Sequence, residues 1–125
     1  LVGKPMAALL MQPGKGGDAT VTIAHRQSQD LSLHCQRADI LIVAVGSAKL
    51  IQPHMVKEGA IVIDVGINMQ EKAPHSTKTQ IVGDVDFLKV APKCSWITPV
   101  PGGIGPMTIA MLLQNTWLAY QQCCP

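Results

Sequence analysis

Charge of either sign is scarce in this sequence. Asp, Glu, Lys and Arg make up 14% of the 125 residues, against roughly 25% in an average chain. Ten Lys plus Arg against eight Asp plus Glu leave a net charge of +2. These charges are scattered, which excludes the dense basic face that nucleic-acid binding needs and gives no support to a membrane-surface role. Long apolar runs are missing too. Ile40-Leu41-Ile42-Val43-Ala44-Val45 is six residues, against the roughly 20 of a bilayer-spanning helix. The cysteines, Cys35, Cys94, Cys123 and Cys124, lack C-x-x-C spacing. A disulfide between the adjacent pair would need a strained ring, so reduced thiols in an intracellular protein are expected. His25, His34, His54 and His75 show no zinc-ligand spacing and no serine sits in G-x-S-x-G, which argues against a metal site and a hydrolase triad. Neither G-x-G-x-x-G nor G-x-x-x-x-G-K-[ST] occurs, so Gly14-Lys15-Gly16-Gly17 reads as a connector and not a phosphate loop. No initiator Met, basic leader or signal pattern precedes Leu1-Val2-Gly3, from which a fragment or processed piece is expected.

What is present points to one globular domain. An apolar fraction of 47% argues against disorder, and a domain of this length buries about two-thirds of its unfolded surface. Ala19-Thr20-Val21-Thr22-Ile23-Ala24 alternates in polarity like a strand. Ile40 to Val45 and Ala60-Ile61-Val62-Ile63-Asp64-Val65 read as fully buried parallel strands, each ending in glycine, Gly46 and Gly66. Asp30 to Arg37 and Pro53 to Lys57 are long enough for crossover helices. A first helix is expected from Pro5 through Met11, and a last one from Pro106 to about Gln121 with its apolar face in the core. Gln80-Ile81-Val82 and Ser95-Trp96-Ile97-Thr98 are shorter strand candidates. The fold expected is α/β, a Rossmann-like parallel sheet flanked by helices.

An open parallel sheet binds ligands beyond the carboxyl ends of its strands. That rule selects His25-Arg26-Gln27-Ser28, Val45-Gly46-Ser47, Val65-Gly66-Ile67-Asn68 and Thr98 to Gly103 before any motif is considered. The most specific stretch is Thr98-Pro99-Val100-Pro101-Gly102-Gly103-Ile104-Gly105-Pro106-Met107-Thr108. Its prolines stiffen the entry, its glycines admit a flat ligand close to the backbone, and Pro106 opens a helix. Arg26, at a strand end, has the fork geometry to hold a phosphate, though an arginine there is more often simply solvated. Asp39 and Asp64 read as acceptors of backbone NH groups from neighbouring loops. Asp84 and Asp86 suit a turn and a helix cap.

These residues resemble the bifunctional methylenetetrahydrofolate dehydrogenase/cyclohydrolases. The resemblance is carried by Val2-Gly3-Lys4-Pro5, Ala19 to Ile23, Ala38 to Val43, Val62 to Asn68, Val82-Gly83-Asp84-Val85-Asp86-Phe87 and Ile97 through Leu113, and it covers nearly the whole chain. It implies that residues 1–125 are a partial NAD(P)-binding domain lacking its first strand and the Gly-Arg-Ser turn that helps bind cofactor phosphates. It also implies an upstream domain carrying the catalytic Tyr-x-x-x-Lys pair. No such pair exists here, since the only tyrosine is Tyr120, and the chain alone is expected to be inactive. The implied reaction is hydride transfer from 5,10-methylenetetrahydrofolate to NAD or NADP, then hydrolysis of the methenyl product.

Carried over residue by residue, the resemblance implies cofactor contacts at His25, Arg26, Val45, Gly46, Ile67 and Asn68. It implies folate contacts at Pro101, Gly102, Gly103, Ile104, Gly105, Pro106, Met107, Thr108 and Ile109. The segments Pro13 to Asp18 and Ile23-Ala24-His25-Arg26 are similar to the mitochondrial branch, where an Arg at this position helps hold inorganic phosphate beside Mg2+. A mitochondrial location is therefore expected, with cytoplasmic as the alternative. Relatives dimerise through this domain, so a homodimer is expected as well. The competing expectation is a truncated, non-catalytic binding or dimerisation module.

Overall fold

A computed structural model describes residues 1–71 and 79–123; His75 and Cys124, named above, lie outside them. In chain order the elements are α1 (Gly3–Leu10), α2 (Leu31–Arg37), β1 (Ile40–Val43), a 3-10 turn at Pro53–Met55, β2 (Ile61–Asp64), β3 (Asn68–Glu71), β4 (Thr79–Val82), α3 (Phe87–Val90), a second 3-10 turn at Ala91–Lys93, β5 (Trp96–Ile97) and α4 (Ile104–Cys123). Strands β1, β2 and β5 form a parallel sheet in the order β1-β2-β5. Parallel neighbours need a crossover, and the intervening segments supply it. Strands β3 and β4 make a separate antiparallel pair, with Met69 opposite Ile81.

The register sets the covered face. Val43 pairs with Asp64, Leu41 with Val62, and Val62 with Ile97, so these side chains share one face. Against it packs the core of Cys35, Ile51, Met55, Val56, Val85 and Val90. The opposite face is not covered in the same way: Ile40 is 55% and Trp96 75% exposed. The sheet is thus not buried on both sides, as the near-continuous apolar runs had implied.

Other departures have local causes. Ala19 to Ala24 is not a strand: Ala19 donates its N–H to the Leu10 carbonyl (3.0 Å), but no described strand lies alongside to complete a ladder. Pro53 to Lys57 is a single 3-10 turn and not a crossover helix. Helix α1 starts two residues before Pro5, because the NH groups of a first turn have no intrahelical partner and proline costs nothing there. Helix α4 likewise starts at Ile104, with Pro106 in its first turn.

The apolar face of α4 is not core. No residue of the helix is buried, and Leu112, Leu113 and Trp117 are 65%, 67% and 59% exposed. Helical spacing makes an apolar stripe, yet burial needs an opposing element, and none of the described elements covers this one. Trp117 and Tyr120 stack on each other with ring centroids 5.8 Å apart.

Candidate functional site at the carboxyl edge of the sheet

Two aspartates organise the ends of the strands. Asp64 closes β2 and is 2% exposed. Its Oδ1 accepts the Gly66 N–H (2.9 Å) and the Asp84 N–H (3.0 Å), and its Oδ2 accepts the Val85 N–H (3.0 Å). This matches the acceptor role read from its place at a strand end. Its backbone is in turn tied to β5, since Thr98 Oγ1 accepts the Asp64 N–H at 2.8 Å. Asp39 differs: it is exposed and pairs with Lys57 (2.6 Å).

Asp84 is 0% exposed and does more than close a turn. Its Oδ2 accepts the N–H groups of Val45 (2.7 Å) and Gly46 (2.9 Å), and its Oδ1 accepts Ser47 N–H (2.9 Å) and Asn68 Nδ2 (2.8 Å). One carboxylate therefore joins two segments singled out as strand ends, 45–47 and 67–68. Four donors on two oxygens are close to what a carboxylate accepts, which is how its burial is tolerated. The same region is zipped by Lys49 N–H to the Gly83 carbonyl (3.1 Å) and Ile51 N–H to the Asp84 carbonyl (3.0 Å). Asp84 was missed as a site organiser because Gly-Asp reads as turn chemistry. The available signal was its position between the apolar residues Val82 and Val85 in a run that resembles a buried strand end. Asp86, expected as a helix cap, makes no capping bond; its carboxylate pairs with Lys89 at 2.9 Å instead.

A cleft of about 230 Å³ opens beside this network, lined by Ala44, Gly46, Val65, Gly66, Ile67 and Asp84 among others. Ala44, Gly46 and Gly66 bring little side-chain bulk to it, whereas Leu1, Val2, Val65 and Ile67, the last 68% exposed, make the rest of its lining apolar. A larger hollow of about 440 Å³ lies at the amino ends of the strands, beside Asp39, Lys57, Gly59 and Ser95. The carboxyl edge is the candidate site: among the described residues, the segments that follow β1 and β2 converge there on the buried Asp84.

The remaining expected residues fall into two groups. His25 and Arg26 occupy an exposed turn of their own, closed by Ser28 N–H to the His25 carbonyl and by His25 N–H to Ser28 Oγ (both 2.9 Å); no hydrogen bond links it to the Asp84 network. Pro101 to Ile109 follow β5, whose neighbour is β2, so the loop leaves from the same edge. Its base is fixed by Thr98, whose N–H reaches the Val62 carbonyl (3.1 Å). Gly103 lies so close to the Pro99 carbonyl that a Cβ there would clash with it. Met107 and Ile109 are exposed, at 56% and 64%.

Among the described residues no group of three His, Cys, Asp or Glu side chains is placed to hold a metal ion, and no helix is long and apolar enough to cross a membrane.

Comparison with known proteins agrees with this fold. Residues 1–124 match the family described as the tetrahydrofolate dehydrogenase/cyclohydrolase, NAD(P)-binding domain. The bifunctional protein FolD of Protochlamydia amoebophila is 62% identical over 122 residues, covering 98% of this chain and 42% of its own. The human bifunctional methylenetetrahydrofolate dehydrogenase/cyclohydrolase 2, mitochondrial, is 60% identical over 124 residues, covering 94% of this chain and 35% of its own. The crystal structure of the bifunctional FolD enzyme of Campylobacter jejuni superposes with a TM-score of 0.85 at 52% identity, over 97% of this chain and 39% of that one. The chain thus spans about two-fifths of the length of the relatives it matches.

Proposed function

The chain belongs to the tetrahydrofolate dehydrogenase/cyclohydrolase family as its NAD(P)-binding domain, and from that premise we propose that it is the cofactor-holding part of a bifunctional enzyme that oxidises 5,10-methylenetetrahydrofolate and hydrolyses the methenyl product. The observation that carries the proposal is the Asp84 network, which fixes two strand ends around one cleft. The residues fit a dinucleotide: Ala44, Gly46 and Gly66 leave room for a flat ring, and Ile67 offers it an apolar contact. When bound, NAD(P) supplies the hydride acceptor.

The chain's own part is orientation and the exclusion of water. Val45, Gly46, Ile67 and Asn68 hold one portion of the cofactor and His25 and Arg26 another. Pro101 to Ile109, leaving the same edge, bring the folate to it. Holding two reactants in a near-attack geometry removes much of the entropic part of a barrier. The lysine that handles protons belongs, in this proposal, to an upstream folate-binding domain, and the working form is a homodimer. Inorganic phosphate enters through Arg26. For Mg2+ the described carboxylates offer no ligand set, and no step is routed through it.

We place the protein in mitochondria on the strength of segments 13–18 and 23–26. Overall identity does not discriminate, being 62% to a bacterial relative and 60% to the human mitochondrial one. The reading as a non-catalytic module has one observation in its favour, the uncovered apolar length of α4.

The test is calorimetric titration of the chain with NAD and NADP, after a cooperative thermal transition has been recorded. Saturable 1:1 binding of either supports the proposal. A folded chain that binds neither favours the non-catalytic module.

A further inference from the structure

The last main-chain rung between β2 and β5 is the Thr98 N–H on the Val62 carbonyl, at 3.1 Å. Rungs of a parallel ladder recur at even spacing, so the next two would run from the Asp64 N–H to the Thr98 carbonyl and from the Val100 N–H to the Asp64 carbonyl. A side chain meets both Asp64 groups instead. The Asp64 N–H goes to Thr98 Oγ1 at 2.8 Å, and the same hydroxyl points back at the Asp64 carbonyl, 3.4 Å away. A hydroxyl both accepts and donates, so it stands in for the main chain of the departing strand. Strand β5 ends at Ile97, and the backbone beyond Thr98 is free to turn away from the sheet.

The other side of Thr98 faces the loop. A Cβ on Gly103 would fall 3.1 Å from Thr98 Cβ and against the Pro99 carbonyl. The chain therefore curls back over Thr98 before α4 starts at Ile104. The residue on which Thr98 rests is also the one that orders the cofactor side. The Asp64 carboxylate accepts the N–H groups of Gly66, Asp84 and Val85 (2.9, 3.0 and 3.0 Å), and Asp84 in turn holds residues 45–47 and Asn68. The loop after β5 and the loops after β1 and β2 thus share one anchor.

We propose that Thr98 is a positioning residue: its hydroxyl, in place of two main-chain rungs, anchors the loop at 101–109 to Asp64 and fixes where that loop stands relative to the cofactor cleft. The proposal rests on the cofactor-binding reading above and adds the residue that sets the spacing between the two halves of the site.

Thr98→Val and Thr98→Ser test it, since valine keeps the β-branch without the hydroxyl and serine keeps the hydroxyl without the methyl. A side chain that merely suited a strand would make valine harmless and serine the damaging change. The hydroxyl anchor reverses that order. Amide NMR of the 125-residue chain reads the loop at Gly102, Gly103 and Ile104 and the anchor as hydrogen exchange of the Asp64 N–H. Calorimetry with NAD reads the cleft. In Thr98→Val the Asp64 N–H loses its partner; its exchange is expected to quicken about tenfold, the loop resonances to move and the Kd for NAD to rise about fivefold. Thr98→Ser is expected to stay within about twofold of the parent chain in exchange and Kd, with the loop resonances in place.

An undisturbed loop in Thr98→Val, or a larger disturbance in Thr98→Ser than in Thr98→Val, overturns the proposal. A moved loop with an unchanged Kd overturns the link to the cofactor cleft. A parent chain that binds no NAD overturns the cofactor-binding reading, while the order of valine and serine at Gly103 still decides whether the hydroxyl is the anchor. Should Thr98→Val fail to fold, Thr98→Ser decides: a parent-like loop and Kd support the anchor, and displaced loop resonances overturn it.

Discussion

Asp64 and Asp84 hold each other in place. Asp64 Oδ1 accepts the Asp84 N–H at 3.0 Å, and each carboxylate fills the space beside a glycine of the other's segment. A Cβ on Gly83 would fall on the Asp64 carboxylate, and one on Gly66 on the Asp84 carboxylate. The repeated pairing of Asp with Gly at the ends of β2 and β4 is thus one interlock, through which the loops of the site are tied to the sheet.

Gly83→Ala and Gly66→Ala are accordingly expected to cost about 3 kcal/mol each, at the upper end of overpacking, because the obstructing atoms are a buried carboxylate and its backbone. Gly3→Ala is the control. Nothing lies within 4 Å of a Cβ there, and alanine in a helix gains up to about 1 kcal/mol over glycine. Urea unfolding of the three variants makes the comparison; equal effects at Gly83 and Gly3 contradict the interlock.

Acid stability depends on Asp86. Its carboxyl is held below the ordinary range, first by the hydrogen bond from Lys89, with the Lys89 charge, Gln52 and the Lys49 charge adding to this and burial opposing it. A carboxyl lowered in the folded state contributes stability above its unfolded value of about 3.9, and that contribution is lost as pH falls through the folded value. Lys89→Met raises the folded value, so the acid unfolding midpoint moves to higher pH. At neutral pH the loss stays below about 1 kcal/mol, since Lys89 is a solvent-facing partner. Circular dichroism against pH reads both, and an unmoved acid midpoint contradicts this role for Lys89.

Cysteine reactivity follows burial. Cys35, Cys94 and Cys123 are free thiols. Burial pushes the Cys35 thiol up; burial and then the Glu58 charge do the same for Cys94, against the Lys93 charge. A raised thiol pKa leaves less thiolate to react. With iodoacetamide at pH 8, peptide mapping is expected to find exposed Cys123 labelled well before Cys35 or Cys94. Equal rates contradict the packing of Cys35 in the core.

Arg26→Ala tests the proposed phosphate role. The side chain sits on an exposed turn outside the Asp84 network, so the substitution is expected to leave the thermal midpoint unchanged while weakening NAD binding and abolishing any gain from added phosphate. Calorimetry with and without phosphate reads this, and an unchanged phosphate dependence contradicts the assignment.

Much of this was legible from residue order. The β-branched runs at 40–45 and 60–65 gave the parallel strands, Pro106 placed a helix start to within two residues, and Asp64 behaved as its strand-end position implied. The parts that failed depend on partners that local pattern does not encode. Alternation at 19–24 satisfies a strand's side-chain period but not its hydrogen bonds. The stripe on α4 satisfies amphipathicity with no opposing surface. Asp84 escaped notice because its donors, Val45 to Ser47, are nearly forty residues away in sequence, and no short-range rule links the two.

The most direct test of the account is a crystal structure of the chain with NAD. The account predicts electron density for the cofactor at the carboxyl edge, against Val45, Gly46, Ile67 and Asn68, with the Asp84 hydrogen bonds intact. Density in the larger hollow beside Asp39 and Lys57 would contradict it.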